Sequence, residues 1–221
     1  MFQSKKNIVF IILAGIFITN AVVAELIGGK LIHVYGFTLS IGILPWPIVF
    51  LTTDLINEHF GKSGVRKLTF LTVGLVSYAF FILLVGMKIP ATSFSPVSNE
   101  QFTAVFGQSM WIIVGSLIAF VVSQLLDVAV FWKFKQYTGD KHIWLRATGS
   151  TLISQLIDTF IVAGIAFYLP GKITLNEYLS MSFTGYFAKL MIAVALTPLI
   201  YVGHRMIRNY LKGEIEVSSN K

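Results

Sequence analysis

Apolar residues along the chain gather into runs long enough to cross about 30 Å of hydrocarbon, a distance that takes roughly 20 helical residues. The runs fall at 8–27, 41–58, 68–88, 109–132, 150–169 and 184–204 and predict six transmembrane helices. The gaps are short and hold no Ser/Gly-rich or Pro-rich linker. Residues 1–211 therefore read as a single six-helix transmembrane domain, and 212–221 as a short polar tail expected to lack structure. The fold class this predicts is an all-α membrane protein.

Polar residues interrupt the runs in a pattern. Ser123-Gln124-Leu125-Leu126-Asp127 is nearly rewritten as Ser154-Gln155-Leu156-Ile157-Asp158, each copy inside an apolar stretch. The four-residue spacing puts Ser and Asp of each copy on one helix face. A third insertion, Thr53-Asp54-Leu55-Ile56-Asn57-Glu58, carries Asp54, Asn57 and Glu58 at i, i+3 and i+4. An ionisable residue at membrane depth costs roughly 2.5–3.5 kcal/mol on insertion scales, so three such helices predict a polar interior that uses them. Asp54, Asn57, Glu58, Ser123, Gln124, Asp127, Ser154, Gln155 and Asp158 are the candidate substrate-binding residues.

With Ser116, Thr151 and Thr159, these groups could line one cavity in the inner half of the membrane, where no Lys or Arg is expected to pair the acids. The bland alternative for the hydroxyls and amides is helix bridging, worth about 0.6 kcal/mol each on average. Glu25 and Lys189, in the outer third of spans one and six, are expected either to pair or to reach separately for the interface.

Local signals refine the connections. Pro45 and Pro47 remove two backbone donors at the start of span two and predict either a broken entry or a helix with Pro in its first turn. His59-Phe60-Gly61-Lys62-Ser63-Gly64 reads as a tight turn between spans two and three. The longest gap, 89–108, reads either as a surface loop or as a loop with a short interfacial helix around Phe102, Val105 and Phe106. Trp46 and Trp111 stand near the outer openings, where a ring could stack on a planar ligand.

Composition agrees with a bilayer. The chain is 55% hydrophobic and 12% charged, against about 25% charged in soluble domains. Its net charge of +7 is distributed by topology and does not form a nucleic-acid stripe. Lys5 and Lys6, then Lys62, Arg66 and Lys67, then Lys133, Lys135, Lys141 and Arg146, then Arg205, Arg208, Lys212 and Lys221 fall on one side; Lys30, Lys88 and Lys172 fall on the other. The positive-inside rule then places both termini in the cytoplasm. The first run exceeds a signal-peptide core and is expected to be retained.

Several chemistries lack their residues. There is no cysteine, and His33, His59, His142 and His204 show no metal-ligand spacing, so no metal or other cofactor is expected. Ser123 and Ser154 have no histidine within a span to activate them, which argues against an enzyme. Gly61-Lys62-Ser63 lacks the upstream glycine of a P-loop, so the chain is not expected to hydrolyse ATP.

At Thr53-Asp54-Leu55, Gln124-Leu125-Leu126-Asp127-Val128-Ala129-Val130-Phe131, Ser150-Thr151-Leu152 and Asp158-Thr159, the chain resembles the queuosine-precursor transporter family, also described as a vitamin uptake transporter family. The resemblance covers about 8–210. It implies a multi-pass bacterial inner-membrane importer of 7-deazaguanine bases, the 7-cyano and 7-aminomethyl precursors of queuine. Its partners would be the small-molecule base and the lipid bilayer, with an energy-coupling ATPase module or a homo-oligomer left open. The alternative is the substrate-binding subunit of an energy-coupling-factor vitamin importer. Such subunits often show Ala-x-x-x-Ala in the first helix, where Ala14 is here followed by Ile18 and Ala21 by Glu25.

Overall fold

The computed structural model describes residues 4–34, 37–107, 110–139 and 142–219. Among them, five helices are long and apolar enough to cross a membrane. These are α1 (Lys5–Ile27), α2 (Trp46–Gly86), α4 (Met110–Thr138), α5 (Ile143–Ala163) and α6 (Leu175–Ser219); α3 (Asn99–Phe106) is a short extra helix. Large apolar side chains such as Ile12 (55% exposed), Phe81 (59%) and Phe183 (57%) point away from the bundle. An apolar rim on this scale belongs against lipid, and the chain is a multi-pass membrane protein.

The expected turn at 59–64 is reduced to one residue. Helix continues on both sides of Gly61, which alone leaves the helical region at φ 76°, ψ 179°. Only glycine adopts that conformation cheaply, and one such residue is enough to fold α2 back on itself. A Cβ on Gly64 would lie 3.1 Å from the Phe60 Cβ and 3.6 Å from Cγ2 of Ile56; an unbroken helix would hold residues 56 and 64 about 12 Å apart.

The second arm of α2 then follows α1. Near the break, Val65 and Leu68 pack with Val9, Leu13 and Phe17, together with Val49 and Ile56 of the first arm and Phe120 of α4. Farther along, Val76 and Phe80 pack with Ile113, Val22 and Leu26.

Two segments, the gap after α1 and the C-terminal tail, differ from expectation, and the entry to α2 takes one of its two expected forms. The gap after α1 forms a hairpin, β1 (Leu31–Val34) pairing antiparallel with β2 (Phe37–Ser40), with Leu31 opposite Ser40 and Val34 opposite Phe37. This addition to an all-α reading follows from a short gap rich in β-branched and aromatic residues. Ser40 closes it, its Oγ donating to the Gly28 carbonyl at 2.7 Å and accepting from the Gly42 N–H at 3.2 Å. A 3₁₀ turn, Ile41–Ile43, leads into α2, whose first turn holds Pro47, so the regular helix start prevails over a broken entry. The polar tail, expected to be unstructured, continues α6 as helix to Ser219; no proline follows Pro198 to stop it.

The 89–108 gap carries α3, started by a capping box in which Ser98 and Gln101 satisfy each other's backbone N–H. α5 ends in a π-helical turn, Gly164–Tyr168. Of the basic residues assigned to one side, Lys141 and Lys221 lie outside the described residues.

Candidate functional site

The two pentapeptides meet. α4 and α5 run antiparallel and close, a Cβ on Gly149 being placed only 2.9 Å from Cε2 of Phe134. In this register the serine of each copy faces the aspartate of the other. The Ser154 Oγ donates to Asp127 Oδ1 at 3.2 Å, and the Ser123 Oγ donates to Asp158 Oδ1 at 3.4 Å. Equal Ser-to-Asp spacing on antiparallel helices dictates that reciprocity, so the repeat is in part a clasp between two helices. Beside it, the Gln124 amide donates to Thr53 Oγ1 at 3.2 Å, tying α4 to α2.

Next to the clasp lies a cavity of about 570 Å³, walled by α1, the Ser40–Ile43 turn, the first arm of α2, α4, α5 with its π turn, and α6. That size falls in the roughly 300–1,000 Å³ range of small-molecule sites. Its polar wall consists of Glu25, Ser40, Asp54, Ser116, Thr148, Thr151, Gln155, Asp158, Thr159 and Lys189. Trp46, Phe50 and Phe167 supply aromatic surface, with Trp46 and Phe50 nearly parallel at 18° and 5.8 Å between centroids.

Of the nine candidate residues, the cavity wall contains Asp54, Gln155 and Asp158. Asn57, Glu58, Ser123, Gln124, Asp127 and Ser154 stand outside it. Asn57, Gln124, Asp127 and Ser154 are each at most 1% exposed, held in helix interfaces. Asp54 and Asp127 remain within electrostatic reach of each other. Trp111 is half exposed and away from the cavity, whereas Trp46 is on it.

The expectation that no basic side chain reaches the acids fails. Lys189 Nζ contacts Asp158 Oδ2 at 2.8 Å, bringing α6 to α5, and lies within electrostatic reach of Glu25. Glu25 accepts from the Ser116 Oγ at 2.6 Å. Glu58 is bound by Arg146, Nη2 to Oε1 at 2.8 Å and Nε to Oε2 at 3.1 Å, with Lys135 adding 3.3 Å to Oε2. Arg146 was read as a loop residue, but α5 starts at Ile143 and turns it inward, where it is 1% exposed. Near Glu58, the rings of His59 and His204 stack at 4.9 Å. No cluster of metal-binding side chains occurs among the described residues.

Two cavity groups keep unmet hydrogen-bonding capacity. Asp54 Oδ1 and both amide atoms of Gln155 are buried without a protein partner. Buried polar atoms nearly always have partners, and the cost of lacking one is about 1–3 kcal/mol. Such groups on the wall of a cavity are positioned to bond what enters it. Glu25, Lys189, Thr148 and Phe50 were not singled out as binding residues from sequence; one acid and one base in otherwise apolar spans marked Glu25 and Lys189, and nothing marked Thr148 or Phe50.

Comparison with known proteins followed the same direction. A family profile described as "Putative vitamin uptake transporter" matches residues 40–203. A protein of Bacillus subtilis (strain 168) named "Probable queuosine precursor transporter" is 31% identical over 183 residues, 81% of this chain and 78% of the relative. A Haemophilus influenzae protein of the same name is 30% identical over 73% of this chain and 66% of its own length. The Escherichia coli (strain K12) "Queuosine precursor transporter" is 26% identical over 85% and 83%. No solved structure matches.

Proposed function

We propose, for a chain that belongs to the vitamin uptake transporter family, that it imports queuosine precursors, the 7-cyano- and 7-aminomethyl-7-deazaguanine bases, across a bacterial inner membrane. The family is one of transporters, not enzymes. The observation that carries the reading is the unpartnered pair in the cavity wall, Asp54 Oδ1 and the Gln155 amide. A guanine-like edge presents a ring N–H and an exocyclic amine as parallel donors, and a carboxylate accepts both in a fork. The Gln155 amide offers one donor and one acceptor to the carbonyl side of the same edge, and Trp46 or Phe50 a flat face for the ring. Asp158 completes the contact set, while Asn57, Glu58, Ser123, Gln124, Asp127 and Ser154 hold the three helices that present it.

The membrane arrangement belongs to the proposal. Gly61 divides α2 into two antiparallel arms, which supports six crossings. The amine of Lys5 donates to the Tyr210 carbonyl, which supports both chain ends lying on one side. Lys6 against Phe60, and Lys62 and Lys135 against Trp132, gather at that same end, supporting its assignment to the cytoplasm.

The test is uptake of labelled 7-deazaguanines by cells unable to synthesise them. Asp54→Asn keeps size but turns one acceptor into a donor facing the donors of the base, so uptake is lost while membrane abundance is unchanged. Wild-type uptake by both Asp54→Asn and Gln155→Ala would remove the basis of the assignment.

A further inference from the structure

We infer that cargo leaves the cavity between the first arm of α2 and α6, through a gate in which Leu55 closes on Gly203 and His59 on His204, with Pro198 as its hinge. The inference rests on the reading that the cavity takes a transported base and that the end where Lys5 meets Tyr210 faces the cytoplasm. Toward that end the cavity stops at Asp54 on α2 and Ile200 on α6. Leu55 then fills the gap: a Cβ on Gly203 would lie 2.9 Å from Leu55 Cδ1 and 3.3 Å from Cδ2, so a bare backbone lets the two helices meet there. A turn farther, the rings of His59 and His204 stack at 4.9 Å. His59 Nε2 and His204 Nδ1 are buried without a partner, so these atoms add no hydrogen bond to the closure. His59 stands about 7.5 Å past Asp54 along the helix axis, which makes the closure thin.

Side-chain hydrogen bonds or ion pairs tie α2 to α4, α2 to α5, α4 to α5 and α5 to α6, whereas among the described residues none ties the first arm of α2 to α6. A second cavity of about 300 Å³ lies in this same seam, between Leu44, Ile48 and Leu51 on one side and Ile192, Leu196 and Leu199 on the other. Leu51, Ile192 and Leu196 border both cavities, and side chains facing a void forgo the contacts that would hold two helices together. Pro198 supplies the bend. It lies inside α6 between the cavity wall at Leu196 and the closure at Gly203, where its missing N–H removes a hydrogen bond to the preceding turn and its ring crowds that turn. The part of α6 that carries Gly203 and His204 can therefore swing while the part bonded to α5 through Lys189 and Thr197 stays in place.

The chain has no cysteine, so introduced pairs can be joined by a short, cleavable thiol-reactive linker without side reactions. In cells lacking base synthesis, His59→Cys with His204→Cys, and Leu55→Cys with Gly203→Cys, are expected to lose uptake about tenfold or more on linking and to regain it when the linker is cleaved. Purified protein linked at either pair still binds labelled base, because the cavity keeps its walls. Phe134→Cys with Gly149→Cys, across α4 and α5, links without loss of uptake. Pro198→Ala, which needs no linker, slows uptake about threefold or more at unchanged affinity for the base. Gate pairs that do not link, linked gate pairs that transport like unlinked ones, loss of base binding on linking, an equal loss in the α4–α5 pair, or wild-type uptake by Pro198→Ala overturns the inference. Wild-type chain that takes up no base overturns the underlying reading instead.

Discussion

Replacing Arg146 by Met tests whether the ion cluster around Glu58 holds the helices together. The substitution removes a guanidinium that bonds both carboxylate oxygens of Glu58 and also donates from Nη1 to the Gly139 carbonyl at 2.7 Å. Only 9% of the Glu58 side chain is exposed, so the stranded acid cannot regain water. Breaking a buried pair by removing one member costs about 3–5 kcal/mol. Lys135 stays on Oε2 at 3.3 Å, which argues for the lower end, about 3 kcal/mol. At roughly 2–4 °C per kcal/mol for a chain of this length, Tm should fall by about 6–12 °C. Adding Glu58→Gln removes the stranded charge and should recover part of the loss, so the two changes are non-additive. Thermal denaturation of detergent-solubilised protein, followed by intrinsic tryptophan fluorescence, gives all three values. A drop below about 2 °C for Arg146→Met, or simple additivity in the double variant, would refute the argument.

Other outcomes follow from the same geometry. Gly61→Ala forces a side chain into φ 76° and should cost about 1–3 kcal/mol in the same melt; an unchanged Tm would mean the fold-back does not need that conformation. Gly149→Ala drives a methyl to 2.9 Å from the Phe134 ring and should cost about 1 kcal/mol or more, relieved by Phe134→Leu; a loss that persists in the pair would place its cause elsewhere. Asp127→Asn should lower thermal stability more than it changes the apparent KM for uptake, and Asp158→Asn the reverse; the opposite ranking would exchange the clasp and the cavity. Purified chain in liposomes should take up base unaided, whereas dependence on an added ATPase module would favour the energy-coupling-factor alternative.

The apolar runs located the helices because burial in lipid imposes a length that few other constraints imitate. The break in α2 was harder to read, since His59 to Gly64 contains several turn-forming residues and only one is used. The hairpin at Leu31–Ser40 escaped notice because a gap between spans carries no required period. Within the site, Asp54, Gln155 and Asp158 were visible as costly residues in oily surroundings, but nothing in their spacing said which face would meet the cavity. Asp127 and Asp158 illustrate the limit. Their sequence contexts are almost the same, yet one is 1% exposed near α2, where the adjacent Gln124 bonds Thr53, and the other lies on the cavity beside Lys189 of α6. Arg146 was misplaced for a related reason: a charged residue near a span end is usually solvated, and only the buried partner on α2 reverses that.

The crossed serine–aspartate contacts make α4 and α5 behave as one plank. Sliding either helix by a turn, about 5.4 Å, would rupture both contacts at once. A carrier with such a spine has to swing its doors along another seam. α6 is joined to the plank by Lys189 on Asp158 and by Thr197 on Thr148, and the α5 halves of both contacts face the cavity, where cargo can compete for them.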